Sequence, residues 1–255
     1  ADHERGPCDD GDGRALWSVV SGGTRHPLDN GFRQADRHHD RQRRPFEDQA
    51  DGGHALEAVA WVGGLTALVA ASIGMAQYDI KRVMAYSTVS QLGYMFMGLG
   101  VLSSFGACYH VLTHAFFKAL LFLGAGSVIH ALSDEQDLRN MGGIWKKIPF
   151  TYAMMWIGSL ALAGFPFFAG FYSKDMILEA AFAAHTPVGN LAFWLGCAAA
   201  FLTAFYSWRL LIMAFHGKPR ASAEVMSHVH ESPLVMTIPL FVLSVGAIFS
   251  GWLGY

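Results

Sequence analysis

The chain has 255 residues, of which 53% are hydrophobic and 15% are charged, and its formal net charge at pH 7 is −2. Average soluble domains carry about 25% charged residues, so this composition is too apolar for an ordinary soluble protein. The lack of a basic excess excludes a nucleic-acid-binding protein, and three distant cysteines without zinc-like spacing exclude a disulfide framework.

Residues 1–54 are the polar part of the chain. They hold 19 of its 38 charged side chains, and they have neither a hydrophobic period nor the apolar stretch typical of a signal peptide. This composition predicts a disordered segment. A functional basic arm is the less favoured interpretation, and an artefact such as a shifted reading frame is the preferred one. We therefore expect a boundary after residue 54, with a transmembrane domain over residues 55–255.

Six apolar stretches follow this boundary. A membrane-spanning helix needs about 20 mostly apolar residues, and six such stretches in a row leave too little polar surface for a soluble core. The sequence therefore predicts an all-α, polytopic membrane protein with six transmembrane helices. The predicted spans are Val59–Tyr78, Val83–Leu102, Phe105–Leu132, Ile148–Ala184, Leu191–Phe215 and Leu234–Leu253.

The fourth stretch is too long for one regular span and contains the helix breakers Gly164, Pro166 and Gly170. One span built from two half-helices is favoured, because two separate spans would break the alternation of loop charge described next. Irregular backbone at membrane depth is tolerated only where protein groups or a water-filled cavity satisfy its hydrogen bonds. Ser173 is the expected cap of the second half-helix, and Lys174 and Asp175 are placed in its first turn, where the helix dipole disfavours a cation.

Basic residues occur in every second loop between the predicted spans. Loops one, three and five contain all of them, while loops two and four contain none. This is the positive-inside pattern, so the basic loops are predicted to face the cytoplasm or an equivalent compartment. The seven residues are Lys81, Arg82, Arg139, Lys146, Lys147, Lys218 and Arg220.

Three ionisable residues recur at helical spacing within the third span. His110, His114 and Lys118 stand at i, i+4 and i+8, and this spacing predicts one stripe about 12 Å long. Histidine titrates near neutrality, and ionisable groups inside a span are costly and usually functional. A proton relay is therefore favoured over hydrogen-bonded core histidines with a snorkelling lysine. A zinc site is a weaker alternative, since no third ligand is evident.

Polar residues also line the second span, between Tyr86 and Tyr94. They are typical either of contacts between helices or of a hydrated lining, and the sequence does not distinguish these alternatives. No phosphate-binding loop, dinucleotide fingerprint, CxxC pair or Ser/His/Asp pattern is present. We therefore expect no nucleotide, flavin, iron–sulfur cluster or other cofactor in this chain.

Several stretches resemble the antiporter-like subunits of respiratory complex I. They are Asp79–Tyr94 and His110–Phe122, together with His130–Gly143 and Gly158–Leu178, which are most similar to the distal member of that family. The resemblance runs from about Ala55 to the end of the chain. Mrp-type sodium/proton antiporter subunits share the stripe and the Ser-Lys step, so they remain the alternative family.

The resemblance implies a fold and a place for this chain within it. Family members contain two inverted five-helix repeats, each with a broken helix. This chain corresponds to the second repeat with one further span, so it is expected to be a fragment. Residues 1–54 do not resemble the family.

The resemblance also implies a function. The chain is expected to belong to the proton-translocating membrane part of NADH:quinone oxidoreductase, an H⁺-translocating enzyme, with no redox chemistry of its own. Expected partners are other membrane subunits, notably a neighbouring antiporter-like subunit, as well as lipid and protons. A bacterial or mitochondrial inner membrane is expected, with the bacterial one preferred, and a purely structural membrane subunit is the third hypothesis. The residues carried over for proton translocation are Lys118, His110, His114, Lys174, Asp175 and Lys81.

Overall fold

The structure, a computed structural model, describes residues 50–253. Nearly all of the segment 1–54 lies outside these residues, so its disorder or artefactual origin stays a prediction, as does the boundary after residue 54. Between residues 50 and 253 the chain forms eight α-helices, one short 3₁₀ helix and no β-strand, which confirms the all-helical class. The helices are α1 Ala50–Ala76, α2 Ile80–Gly100, α3 Ser104–Ala131, α4 Pro149–Ala163, α5 Ala169–Ala183, α6 Pro187–Phe215, α7 Ala223–His228 and α8 Leu234–Phe249, with the 3₁₀ helix at Leu138–Asn140.

Three helices in this part of the chain are long and apolar enough to cross a membrane, by length and composition. They are Gly53–Ala76 within α1, α3 and α6. Helices α4 and α8 are apolar but have only 15 and 16 residues, which is about 22–24 Å of helix. The chain is therefore a multi-pass membrane protein, and the count of six spans stays a prediction.

Helix α3 lies at the centre of the bundle. It packs against α2, α4, α5 and α8, and its contacts with α4 and α5 follow a single antiparallel register. Near its C-terminus Ser127 bonds to Thr151 of α4 at 2.9 Å, and Phe117 lies beside Gly170 at the start of α5. Near its N-terminus His110 bonds to Ser173. The two shorter helices together thus follow most of the length of α3.

The N-terminus of α4 is capped from a distant part of the chain. The cap residue Ile148 offers no side-chain hydrogen bond. Instead, the carboxylate of Glu231, which precedes α8, accepts from the N–H groups of Phe150 at 2.9 Å and Thr151 at 3.3 Å. The first N–H groups of a helix lack partners within the helix and favour an anion, so Glu231 stabilises the start of α4.

Helices α4 and α5 are separated by a short irregular segment, 164–168. Gly164 ends α4 in the left-handed region, with φ 79°, a conformation that glycine adopts without strain. Helix α5 begins at Ala169, directly after Phe168, which makes no side-chain cap. The prediction that Ser173 caps this helix is therefore wrong. Because the helix restarts so soon after Pro166, Ser173 is its fifth residue and its hydroxyl is free to bond elsewhere.

The three basic loops contact one another at one end of the bundle. Ile80 N–H donates to Gln136 O at 3.0 Å, and Leu138 N–H donates to Tyr78 O at 2.9 Å. The Arg220 guanidinium reaches Leu138 O at 3.0 Å. These bonds connect the loop before α2, the loop around the 3₁₀ helix and the loop after α6.

One ion pair orders the middle basic loop. The guanidinium of Arg139 lies 2.6 Å from the carboxylate of Asp137. The hydrogen bonds that Arg139 donates lower the pKa of Asp137 below its ordinary value. The Arg139 guanidinium also lies 4.7 Å from the centre of the Tyr78 ring, which Arg209 approaches at the same distance. Two cations thus contact one aromatic ring at this end of the bundle.

Candidate functional site: a buried polar stripe

His110 is the most fully bonded member of the predicted stripe. Its side chain is completely buried, and both ring nitrogens have partners from other helices. Nδ1 lies 2.8 Å from the hydroxyl oxygen of Ser173 on α5. Nε2 lies 3.1 Å from Gln91 Oε1 on α2. The ring of His110 therefore joins three helices.

A second hydroxyl extends this cluster. Thr113 Oγ1 donates to Ser173 Oγ at 2.8 Å, and it also lies 3.2 Å from the carbonyl oxygen of His110. Ser173 Oγ lies 3.3 Å from the carbonyl oxygen of Ala169. All of these side chains are buried. We call Gln91, His110, Thr113 and Ser173 the His110 cluster.

His114 and Lys118 continue the stripe toward the C-terminus of α3. The rings of His110 and His114 have centroids 6.1 Å apart, a gap that one water molecule can bridge. Both His114 Nε2 and Lys118 Nζ are buried without a hydrogen-bond partner among the described residues. The ammonium of Lys118 faces the ring of Phe122, 5.6 Å from its centre. The predicted spacing therefore does place all three residues on one buried line.

Lys174 lies across the break between α4 and α5. Its side chain is 4% exposed, and Nζ donates to the carbonyl oxygen of Leu162 at 2.5 Å. Leu162 belongs to the last turn of α4, whose carbonyl groups lack partners within the helix and carry partial negative charge. The expectation that Lys174 and Asp175 stand in the first turn of α5 is wrong, because the helix begins at Ala169 and Lys174 is its sixth residue. The long side chain reaches back to the negative end of the preceding helix.

Asp175 and Lys81 lie outside this buried line of residues. Asp175 is half-buried on α5, and no hydrogen bond or ion pair joins it to Lys174 within residues 53–253. Lys81 is exposed in the first turn of α2, where its backbone N–H donates to the capping carboxylate of Asp79. Their inclusion in the site rests on the resemblance alone.

Three polar residues of α2 make contacts between helices. Ser87 accepts from Tyr206 at 2.7 Å, Ser90 donates to Ala67 O at 2.8 Å, and Tyr94 donates to Gly196 O. These three residues hold α2 against α1 and α6. Among the polar residues of α2 that the structure describes, Gln91 alone bonds to the stripe through its side chain.

A family profile matches most of this region. The profile described as "NADH:quinone oxidoreductase/Mrp antiporter, TM" matches residues 43–203. The chain belongs to this family. The NADH:quinone oxidoreductase/Mrp antiporter match contains the whole stripe, Lys174 and Lys81.

Curated relatives of this antiporter family agree. NADH-ubiquinone oxidoreductase chain 5 of Marchantia polymorpha is 52% identical over 200 residues, which are 78% of this chain and 30% of that protein. The protein of the same name from Allomyces macrogynus is 52% identical over 199 residues, 78% of this chain and 31% of that protein. The chain thus spans about a third of the length of the curated relatives it matches.

Solved structures share the antiporter fold. A chain of the membrane-bound sulfane sulfur reductase, an archaeal respiratory membrane complex, is 31% identical with a TM-score of 0.68, covering 76% of this chain and 32% of that one. A chain of the Mrp complex from Dietzia sp. DQ12-45-1b is 20% identical with a TM-score of 0.70, covering 80% and 45%. At that identity the second match supports the fold alone.

Three members of the site were missed in the sequence. Gln91 was one of several polar residues of α2, Thr113 lies between the two histidines without matching their spacing, and Ser173 was assigned to a helix cap. A helical projection places Thr113 near the His110 face of α3, since residues three apart are neighbours. No sequence signal distinguishes Gln91 from Ser90, because only the packing of α2 determines which side chain meets α3. No three His, Cys, Asp or Glu side chains in the described part of the chain are grouped closely enough to hold a metal ion.

Proposed function

We propose that this chain is part of the proton-translocating membrane subunit of an NADH:quinone oxidoreductase. Protons pass along His110, His114 and Lys118 and through Lys174, while redox chemistry takes place elsewhere in the complex. The chain itself holds no cofactor in this proposal. Asp175 and Lys81 belong to the proposal through the family resemblance.

One observation carries the proposal. The three buried ionisable residues of α3 form a line in which His114 Nε2 and Lys118 Nζ have no described protein partner. Ionisable groups at membrane depth cost several kcal/mol and persist where they serve a pathway. Each of these nitrogens can bind or release a proton, and water can bridge the intervals between them. A purely structural role would favour groups whose hydrogen bonds are all satisfied by protein.

The proposal includes a topology. Helices α4 and α5 form one broken span, because together they follow α3 in a single antiparallel register. Six spans then result, and the three mutually bonded basic loops share the cytoplasmic or equivalent side. The lysine–carbonyl bond between Lys174 and Leu162 lies at the break.

The proposed partners are other membrane subunits, with a neighbouring antiporter-like subunit among them, and the surrounding lipid. The proposed location is the inner membrane of a bacterium or a mitochondrion. The preference for a bacterial membrane has no support, because the curated relatives named above come from Marchantia polymorpha and Allomyces macrogynus.

The test is Lys118→Ala in the complete complex. We expect proton pumping per NADH oxidised to fall by about tenfold or more, as for removal of a group that transfers protons directly. The measurement is pumping in sealed vesicles, normalised to assembled complex. Lys146→Ala, which removes an exposed loop lysine, is the matched control.

The other outcomes identify the alternatives. Unchanged pumping in Lys118→Ala contradicts the proton pathway and indicates a structural subunit. Proton movement that requires sodium and proceeds without NADH indicates an Mrp-type antiporter subunit instead.

A further inference from the structure

The His110 cluster contains one hydroxyl hydrogen with two alternative acceptors. Ser173 Oγ lies 2.8 Å from His110 Nδ1 and 3.3 Å from Ala169 O. A serine hydroxyl has a single hydrogen but two lone pairs. It can therefore donate to the imidazole, or donate to the carbonyl and accept from the imidazole, while the heavy atoms stay in place.

The other side of the ring is anchored. Nε2 faces Gln91 Oε1 at 3.1 Å, and an amide oxygen can only accept. With Gln91 Oε1 facing Nε2, the hydrogen of the neutral ring lies on Nε2, which leaves the lone pair of Nδ1 directed at Ser173. In this state Ser173 donates to Nδ1 and accepts from Thr113.

When the ring is charged, Nδ1–H becomes a donor. Ser173 Oγ then accepts from it, and the hydroxyl hydrogen turns to Ala169 O. Thr113 either keeps its bond to Ser173 or turns to the carbonyl of His110, 3.2 Å away. Every ring N–H therefore has an acceptor in both protonation states.

We propose that Ser173 and Gln91 are positioning residues that keep both ring nitrogens of His110 hydrogen-bonded in its neutral and in its charged form, without exposure to solvent and without movement of the helices. This proposal rests on the proposed proton-translocating function and adds to it the residues that hold both protonation states of His110. The charged groups that act on His110 are His114 on its own helix and Lys174 from α5, and the ring of Tyr94 from α2 lies 6.4 Å from its ring. Helices α4 and α8 bring no acidic, basic or histidine residue against α3.

The main test is Ser173→Ala in the complete complex. The charged ring then loses its acceptor at Nδ1, and loss of a hydrogen bond to a charged group corresponds to about tenfold in an equilibrium. We expect pumping to fall by about that factor near neutral pH and its pH profile to shift toward acid, where charging of the ring is easier. Ser173→Thr, which keeps a hydroxyl, is expected to restore the profile.

Ser90→Ala is the matched control, since Ser90 is equally buried but donates to Ala67 O, away from His110. If Ser173→Ala has the same pH profile as Ser90→Ala, the proposal is wrong. If Ser173→Ala does not assemble, Gln91→Met serves instead, because it removes the acceptor at Nε2. An unaltered pH profile in Gln91→Met would equally overturn the proposal.

Lys118→Ala keeps this test separate from that of the proposed function. Full pumping in Lys118→Ala would mean that the proton pathway itself is wrong. Loss of pumping in Lys118→Ala together with wild-type behaviour of Ser173→Ala would leave the pathway intact and reject only the positioning role of Ser173.

Discussion

At the scale of single residues, the most informative side chain is Lys174. Its ammonium bonds to the Leu162 carbonyl at 2.5 Å, and it lies 5.5 Å from the centre of the Tyr94 ring. These contacts hold the ammonium at the end of α4 through a hydrogen bond and a cation–π interaction. Release of a proton weakens this bond without abolishing it, because the neutral amine keeps two N–H donors, so the charge of Lys174 is coupled to the end of α4.

We predict that Lys174→Arg impairs pumping nearly as strongly as Lys174→Ala. Arginine keeps the positive charge but does not release its proton in proteins. Pumping in vesicles, normalised to assembled complex, is the measurement, and Lys146→Arg in an exposed loop is the control. Full pumping in Lys174→Arg, combined with loss in Lys174→Ala, would make Lys174 a fixed structural cation.

At the scale of helices, the break between α4 and α5 depends on close backbone contact. A Cβ on Gly170 would lie 1.8 Å from the carbonyl oxygen of Ala161, so the start of α5 crosses the end of α4 with no room for a side chain. The same crossing brings the Lys174 side chain within reach of Leu162 O. The geometry of the break and the position of its lysine are therefore linked.

We predict that Gly170→Ala destabilises the protein by about 1–3 kcal/mol or more, the range for overpacking of a close contact. Thermal denaturation of the purified complex and its assembled amount are the measurements. Gly126→Ala on α3 is the matched control, because nothing lies within 4 Å of a Cβ added there. Equal stability of the two variants would contradict the close crossing.

At the scale of the whole molecule, the basic loops share one end of the bundle through backbone and guanidinium hydrogen bonds. A single crossing by α4 and α5 requires that the loop before α4 and the loop after α5 lie on opposite sides of the membrane. Positive charge is enriched on the side that is not translocated. The shared end of the basic loops, a single crossing by α4 and α5 and the enrichment of positive charge on one side are therefore mutually consistent.

We predict that a cysteine at position 146 is labelled only from the cytoplasmic side and a cysteine at position 185 only from the opposite side. Both positions are exposed. The measurement is labelling of Lys146→Cys and His185→Cys in sealed vesicles by a reagent that does not cross membranes, in a background without the native cysteines, of which Cys108 is exposed. Labelling of both positions from one side would mean that α4 and α5 cross as two spans.

The parts of this protein that sequence alone determined are local ones. The length of the apolar stretches determined the helical class, and the spacing of four residues placed His110, His114 and Lys118 on one face, because a helix returns to the same face in about that interval. Gly164 and Pro166 located the irregular segment, because glycine frees the backbone at its own position and proline restricts it.

Only the tertiary structure decided which distant groups meet. Gln91 reaches His110 while Ser87 and Ser90 hold neighbouring helices, Ser173 joins the His110 cluster instead of capping α5, and Lys174 bonds to the end of α4. Glu231 caps a helix that begins more than 80 residues earlier in the chain. The physical reason is that a buried polar group takes whichever partner helix packing brings within hydrogen-bond distance, and sequence spacing along one helix contains no information about the rotation of the next.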